Sequence, residues 1–291
     1  MLACERPAEQ LLPGAEGRGG SPDPSWRLDP VWDDGNAEFS AYEITWRRYG
    51  HFYPGRVLLV VVKEPWAPDL QVKADRPRPD GFDVLKLNYV RDVPTGIYTY
   101  HQMASVYFRR DTGGLVKIAT TSAEACGVST ALMVEGNLET HSYFDGEGSR
   151  RLAFPPRALP ADGLPALLRD YVRGKPPSRL EVFPMLLLGR FPSLAPETVE
   201  VTKREHAALQ VPAGTFAAVE IALAGAAVSQ SYFFERELPC RLLMFRDGDG
   251  TEFRLKKSER LPYWKLHAPG DESWLPATLR ERVGSAEEDG P

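Results

Sequence analysis

Cysteine is scarce in this chain, with only Cys4, Cys126 and Cys240 in 291 residues. That excludes a cysteine-built metal centre and a small disulfide-stapled fold. Long apolar runs are missing as well. Residues 57–62 (VLLVVV) form a run of six, against the roughly 18–20 needed to span a bilayer. Positive charge is not in excess: 35 Lys and Arg against 40 Asp and Glu give a net charge of −5. No broad basic field exists to draw nucleic acid or anionic lipid, and no nucleic-acid partner is expected.

The chemistry-bearing motifs are absent too. There is no GxSxG elbow, no HExxH, no Cys-x-x-Cys, no Walker A loop and no GxGxxG. The five histidines (His51, His101, His141, His206 and His267) fall one per segment. Neither a metal nor any other cofactor is expected, and the chain is not expected to be an enzyme.

What is present describes a β protein. Proline (26) and glycine (25) are plentiful, as suits many short strands and turns. The organising stretch is residues 84–108, read as strands 84–90 and 97–108 around a turn at 92–96. Before it, 37–46 reads as a strand whose apolar alternation changes phase at Ala41-Tyr42, a bulge signal. Residues 51–55 read as a turn, 56–63 as a buried strand and 73–81 as a loop. After it come strands at 115–121, 128–134 and 138–144, and then a helix at 164–172 with Asp162 as its N-cap. Strands at 179–188 and 198–206 follow. The regular spacing of 209–211, 215–223, 228–234, 241–246 and 251–257 predicts an antiparallel meander.

The expected fold is mainly β: a strongly curved antiparallel sheet, half-barrel-like, with one helix packed on its concave face. The domain division is a disordered tether at 1–30, a single β-rich domain at 31–266 and a disordered tail at 267–291.

Few residues stand out as a site. His101 alternates with Thr99 and Met103 along its strand, and Tyr98, His101 and Met103 are the candidate ligand contacts. The run 247–250 (DGDG) suggests a calcium loop, but the twelfth position is Ser258, so a hairpin turn explains it better. The loop 145–148 could hold a cation or nothing. Glu43, Lys86 and Glu124 offer a charge cluster that nothing in the sequence brings together.

Met1-Leu2-Ala3-Cys4 resembles the end of a bacterial lipoprotein signal, where a small residue precedes a lipidated cysteine, although the basic start and apolar stretch of a full signal are missing. Lipid on Cys4 would leave Cys126 and Cys240 as a pair. A disulfide between them would contribute roughly 4–5 kcal/mol at most by loop entropy. The alternative is two small buried hydrophobes.

Two wider resemblances point the same way. Between residues 211 and 264, VPAGTF, SYFFERELPCRLLMF and DGTEFRLKKSE resemble periplasmic domains of unknown function related to lipoprotein-localisation (LolA/LolB-like) half-barrels. The pieces WDDGNAEFSAYEI, RYG, VKEPW, LKLNYVRDVPTGIYTYHQMASVYF, EACG and SYFDGEGSR resemble an uncharacterised bacterial lipoprotein family. These resemblances imply a cell-envelope location, lipid-anchored at the outer membrane and facing the periplasm, or else secreted or soluble in the periplasm. Membrane contact is then expected only through the N-terminal anchor. The expected role is a binding or carrier module for an apolar, lipid- or acyl-like ligand held between sheet and helix. The alternatives are a structural or protein-interaction lipoprotein with a closed core, and last an envelope enzyme.

Overall fold

The computed structural model describes residues 20–280. After a short helix α1 (Ser25–Leu28), the chain runs through β1 (Ala37–Arg48), β2 (His51–Ala67), β3 (Val72–Lys73), β4 (Phe82–Thr95), β5 (Tyr98–Arg109) and β6 (Leu115–Glu124). The strands β7 (Gly127–Val134), β8 (Asn137–His141), β9 (Ser149–Ala153) and β10 (Ala158–Pro160) follow. Two short helices, α2 (Leu164–Leu167) and α3 (Asp170–Arg173), lead into β11 (Arg179–Phe183), β12 (Glu197–Val211) and β13 (Gly214–Ala224). The last strands are β14 (Ser229–Glu235), β15 (Leu242–Asp247) and β16 (Glu252–Leu261).

All strands belong to one sheet, in the order β10-β11-β12-β13-β14-β15-β16-β1-β2-β4-β5-β6-β7-β8-β9, with β3 paired to β2. Neighbours are antiparallel except β10 and β11. The two edges, β9 and β10, are consecutive in the chain, and Ala153 and Ala158 lie at most about 18 Å apart by chain reach. They do not pair. The protein is mainly β, a large sheet curled toward a barrel but not closed into one.

The concave side is filled. One hydrophobic cluster takes in Trp26, Trp32, Tyr42, Phe108, Phe183, Phe234 and Phe253 together with Leu164, Leu167 and Leu168 of the helical segment. Residues 161–173 touch β10, β5 and β13, strands on opposite sides of the curl. Helix on concave face is therefore as expected, but the helix is two four-residue pieces. At the break, Arg169 N bonds back three residues to Ala166 O (3.0 Å), and Tyr171 N to Leu168 O (3.0 Å). Arg169 itself turns inward, and its guanidinium clasps the Glu38 carboxylate at 3.1 and 2.7 Å. Asp162 is not a helix cap. Its buried carboxylate accepts from the backbone N–H groups of Leu186 and Leu187, both at 2.8 Å.

Four other expectations are corrected. The turn placed at 92–96 is Gly96-Ile97, and residues 92–95 belong to β4. The turn placed at 51–55 is strand, and the chain reverses at Tyr49-Gly50, where both φ values are positive (52° and 78°). Gly55 serves close packing instead, since a Cβ there would lie 2.5 Å from the Asp92 carbonyl of β4. The tether does not extend to residue 30: Trp26 is 1% exposed, and its indole N–H donates to Asp170 at 2.6 Å. Nor is 267–280 a loose tail, because it lies across the outside of the sheet and buries Leu279.

Both Cys126 and Cys240 are free thiols, one exposed and one buried. The disulfide does not form because Cys126 sits in the β6–β7 turn and Cys240 before β15. The strands β16, β1, β2, β4 and β5 lie between those places in the sheet order. Cys4 lies outside the described residues. No helix of the described residues is long and apolar enough to cross a membrane.

Candidate functional site: a groove on the outer face

Side chains alternate across a strand, and in β1 the even positions 42, 44 and 46 enter the core. The odd positions therefore face out. Three successive strand pairings place Glu43 opposite Arg56, Arg56 opposite Asp92, and Asp92 opposite His101. On the other flank Glu43 lies opposite Arg254 of β16. The result is one row across five strands, Arg254–Glu43–Arg56–Asp92–His101, in which basic and acidic side chains alternate.

The row is linked by contacts. Arg56 Nε donates to Asp92 Oδ2 at 2.8 Å, and Asp92 Oδ1 is hydrogen-bonded to His101 Nδ1. Lys256 reaches Glu43 at 2.9 Å. This last contact depends on an irregularity in pairing. Ala41 lies opposite Lys257 but Tyr42 opposite Leu255, so Lys256 is the extra residue of a bulge in β16. The bulge foreseen at Ala41-Tyr42 is thus present, but on the partner strand. It lets two consecutive lysines act on the same face: Lys256 on Glu43, and Lys257 on the carbonyl of Trp274 at 2.9 Å.

Above this row runs the C-terminal segment, ending in the helix α4 (Ala277–Arg280). Arg56 Nη1 donates to the Leu279 carbonyl at 3.3 Å. Between segment and sheet lies a groove of about 700 Å³, within the usual range for small-ligand sites. Its polar walls are the charged row with Glu252 and Lys256, and Leu279, Pro54 and Pro94 give it apolar surface. Asp92 is nearly covered, its side chain 13% exposed, while the His101 ring is 63% exposed. The groove thus offers a histidine steered by a carboxylate, which is in turn held by an arginine.

Of the three candidate contacts, only His101 lines the groove. Tyr98 is one residue out of phase with the site: it points to the opposite face, against the core and 5.6 Å from the Tyr100 ring. Met103 is half-buried on the outer face, opposite Val90 and Thr121, and beyond the groove. The suggested cluster of Glu43, Lys86 and Glu124 is dispersed, with Lys86 bonded to Glu64 at 2.7 Å. In the loop 145–148, Glu147 is consumed internally, accepting from Phe191 N and Arg190 Nε, both at 2.7 Å. Arg56, Arg254 and Lys256 were not foreseen, and Asp92 stood out only as the start of a turn. Charged residues at alternate positions read as a solvated face until the register aligns them.

Two interior groups away from the groove have displaced ionisation. Burial lifts the Asp162 carboxyl to about 6 against the two N–H donors that oppose it. Burial also pushes the Cys240 thiol up to about 12.

No protein-family model matches the chain, and no curated protein matches it. A solved structure described as a beta-barrel-like protein of a domain of unknown function, DUF1849, from Brucella abortus matches at 11% identity with a TM-score of 0.42. It covers 78% of this chain and 98% of that one. The likeness bears on neither ligand nor activity.

Proposed function

We propose that this chain is a binding module of the cell envelope whose ligand site is the outer groove rather than the inside of the curl. The observation that carries this reading is the division of space: side chains fill the concave face, and about 700 Å³ lies open under the C-terminal segment. The groove suits an amphipathic anion of the fatty-acid type. Arg56, Arg254 and Lys256 can meet its head group, and Leu279, Pro54 and Pro94 its chain. Arg254 donates through Nη2 to the Gln210 carbonyl at 2.9 Å and lies 3.9 Å from Glu252 through Nε, which fixes its guanidinium in the wall of the groove. Cys4 as a lipid anchor would place this module at a membrane surface.

Titration calorimetry with dodecanoate tests the reading. Saturable one-to-one binding is expected, weakened tenfold or more by Arg254→Gln or Arg56→Gln and abolished by Leu279→Asp. Absence of saturable binding, or binding indifferent to all three changes, overturns it. Fatty-acid labelling of the expressed protein, lost in Cys4→Ser, tests the anchor separately.

One observation favours a second reading, an envelope enzyme. The chain His101–Asp92–Arg56 is a general-base arrangement inside a cleft. It predicts that His101→Ala slows hydrolysis of a p-nitrophenyl ester at neutral pH while His206→Ala does not. Equal rates in both variants end that reading.

A further inference from the structure

A second, smaller pocket of about 340 Å³ lies along the C-terminal segment and shares no lining residue with the charged groove. Three aromatic rings wall it. Phe39 projects outward from β1, where the alternation that sends Glu38 and Ser40 inward leaves it facing the segment. Tyr263 and Trp274 come from the segment itself. The Phe39 and Trp274 centroids are 4.9 Å apart at 88°, and those of Phe39 and Tyr263 are 5.5 Å apart at 41°. The rings meet as adjoining walls at steep angles and do not stack on one another.

Two carboxylates, Asp271 and Glu272, share the rest of the lining with His267 and with apolar residues such as Leu261 and Leu266. Each spends one oxygen on the local turn: Asp271 Oδ2 accepts from Ala268 N and Glu272 Oε2 from Gly270 N, both at 2.8 Å. No lysine or arginine lines the pocket. Trp274 already receives one cation, since Lys257 Nζ lies 4.3 Å from its ring centre, but Lys257 is not part of the lining. Aromatic walls attract a cation through the ring quadrupole, and methyl groups on that cation match their apolar surface. Acidic side chains beside them select for positive charge.

We infer that this pocket binds a trimethylammonium group, the head of a choline-type compound. The site is separate from the charged groove and stands whether or not the groove binds an anion. A primary ammonium would fit the charge, but it is more strongly hydrated and gains less from three ring walls.

The test is titration calorimetry of the full chain with choline and with 3,3-dimethylbutan-1-ol, which has the same shape without the charge. Choline is expected to bind at least tenfold more tightly than its neutral counterpart. Trp274→Ala should abolish binding. Because that change could also release the segment, the pair Asp271→Asn and Glu272→Gln supplies the second arm, with an expected tenfold loss and unchanged thermal unfolding. Retention on phosphatidylcholine vesicles, lost in the same variants, would show the site taking its cation from a lipid head group. Equal affinity for choline and the alcohol, or no choline binding at millimolar concentration, overturns the inference.

Discussion

The inner and outer faces of the same strands treat charge in opposite ways. On the inner face of β1, Glu38 is almost wholly buried and is clasped by Arg169, whose guanidinium also lies over the Trp26 ring at 5.1 Å. Five residues along, on the outer face, Glu43 meets Lys256 in a groove open to solvent. The inner pair closes the core, and every polar atom taken from water there must find a partner. The outer row closes nothing. Its charges stay hydrated in part and can exchange partners, which is what a binding surface requires. Function in this fold is therefore to be sought on the convex side, and the concave side explains stability.

Removing one member of each pair tests that contrast most severely. Arg169→Ala leaves Glu38 as an uncompensated buried carboxylate and should cost about 3–5 kcal/mol in urea unfolding. Arg56→Ala, on the outer row, should cost less than about 1 kcal/mol. Similar losses would erase the distinction.

The next effect in size is a pH dependence. Asp162 has its folded-state value raised to about 6 from 3.8. Between those values the folded chain holds a proton that the unfolded chain has released, so stability falls as pH rises from about 4 to 6 and then levels. A shift of about two units corresponds to about 3 kcal/mol. Urea midpoints across pH 4–7 should show this decline in the parent protein, and Asp162→Asn should lack it.

Gly55→Ala probes the support of the outer row. Its Cβ would fall 2.5 Å from the Asp92 carbonyl, forcing β2 and β4 apart at the point where Arg56 meets Asp92. A loss of about 1–3 kcal/mol is expected, with weaker dodecanoate binding. A neutral result would mean that the row tolerates a shift in strand spacing.

The smallest effect is chemical and not energetic. In a Cys4→Ser background, a thiol reagent should modify Cys126 rapidly in the folded protein. Cys240, buried and with its thiol raised to about 12, should react only on unfolding. Two rapidly reacting thiols would place Cys240 outside the core.

Part of the outer row was legible in the sequence. A two-residue turn pairs the residues equidistant from it. The turn at Gly96-Ile97 thus sets Asp92 opposite His101, and the turn at Tyr49-Gly50 sets Glu43 opposite Arg56. Placing the turns at 92–96 and 51–55 hid both pairs, because Pro54-Gly55 and Asp92 look like turn chemistry in isolation. Tyr98 was grouped with His101 on one strand, although residues three apart along a strand point to opposite faces. Trp26 was missed for a different reason. It sits in a Pro- and Gly-rich stretch without periodicity, and only its partner Asp170, far along the chain, gives it a place.

By itself the sequence determined the β class, the meander of the C-terminal strands, the inward helical segment and the alternation of faces. All of these follow from local chemistry: turn residues, period-two patterning and a short run at helical spacing. Only the tertiary structure decided where the open space lies. The pairing of Arg56 with Asp92 joins strands linked by a long connection, and that of Glu43 with Arg254 joins the first strand to the last. Both depend on how the sheet curls. The C-terminal segment finds its place on the outer face through Phe39, Lys257 and Glu259, contacts that no local pattern encodes.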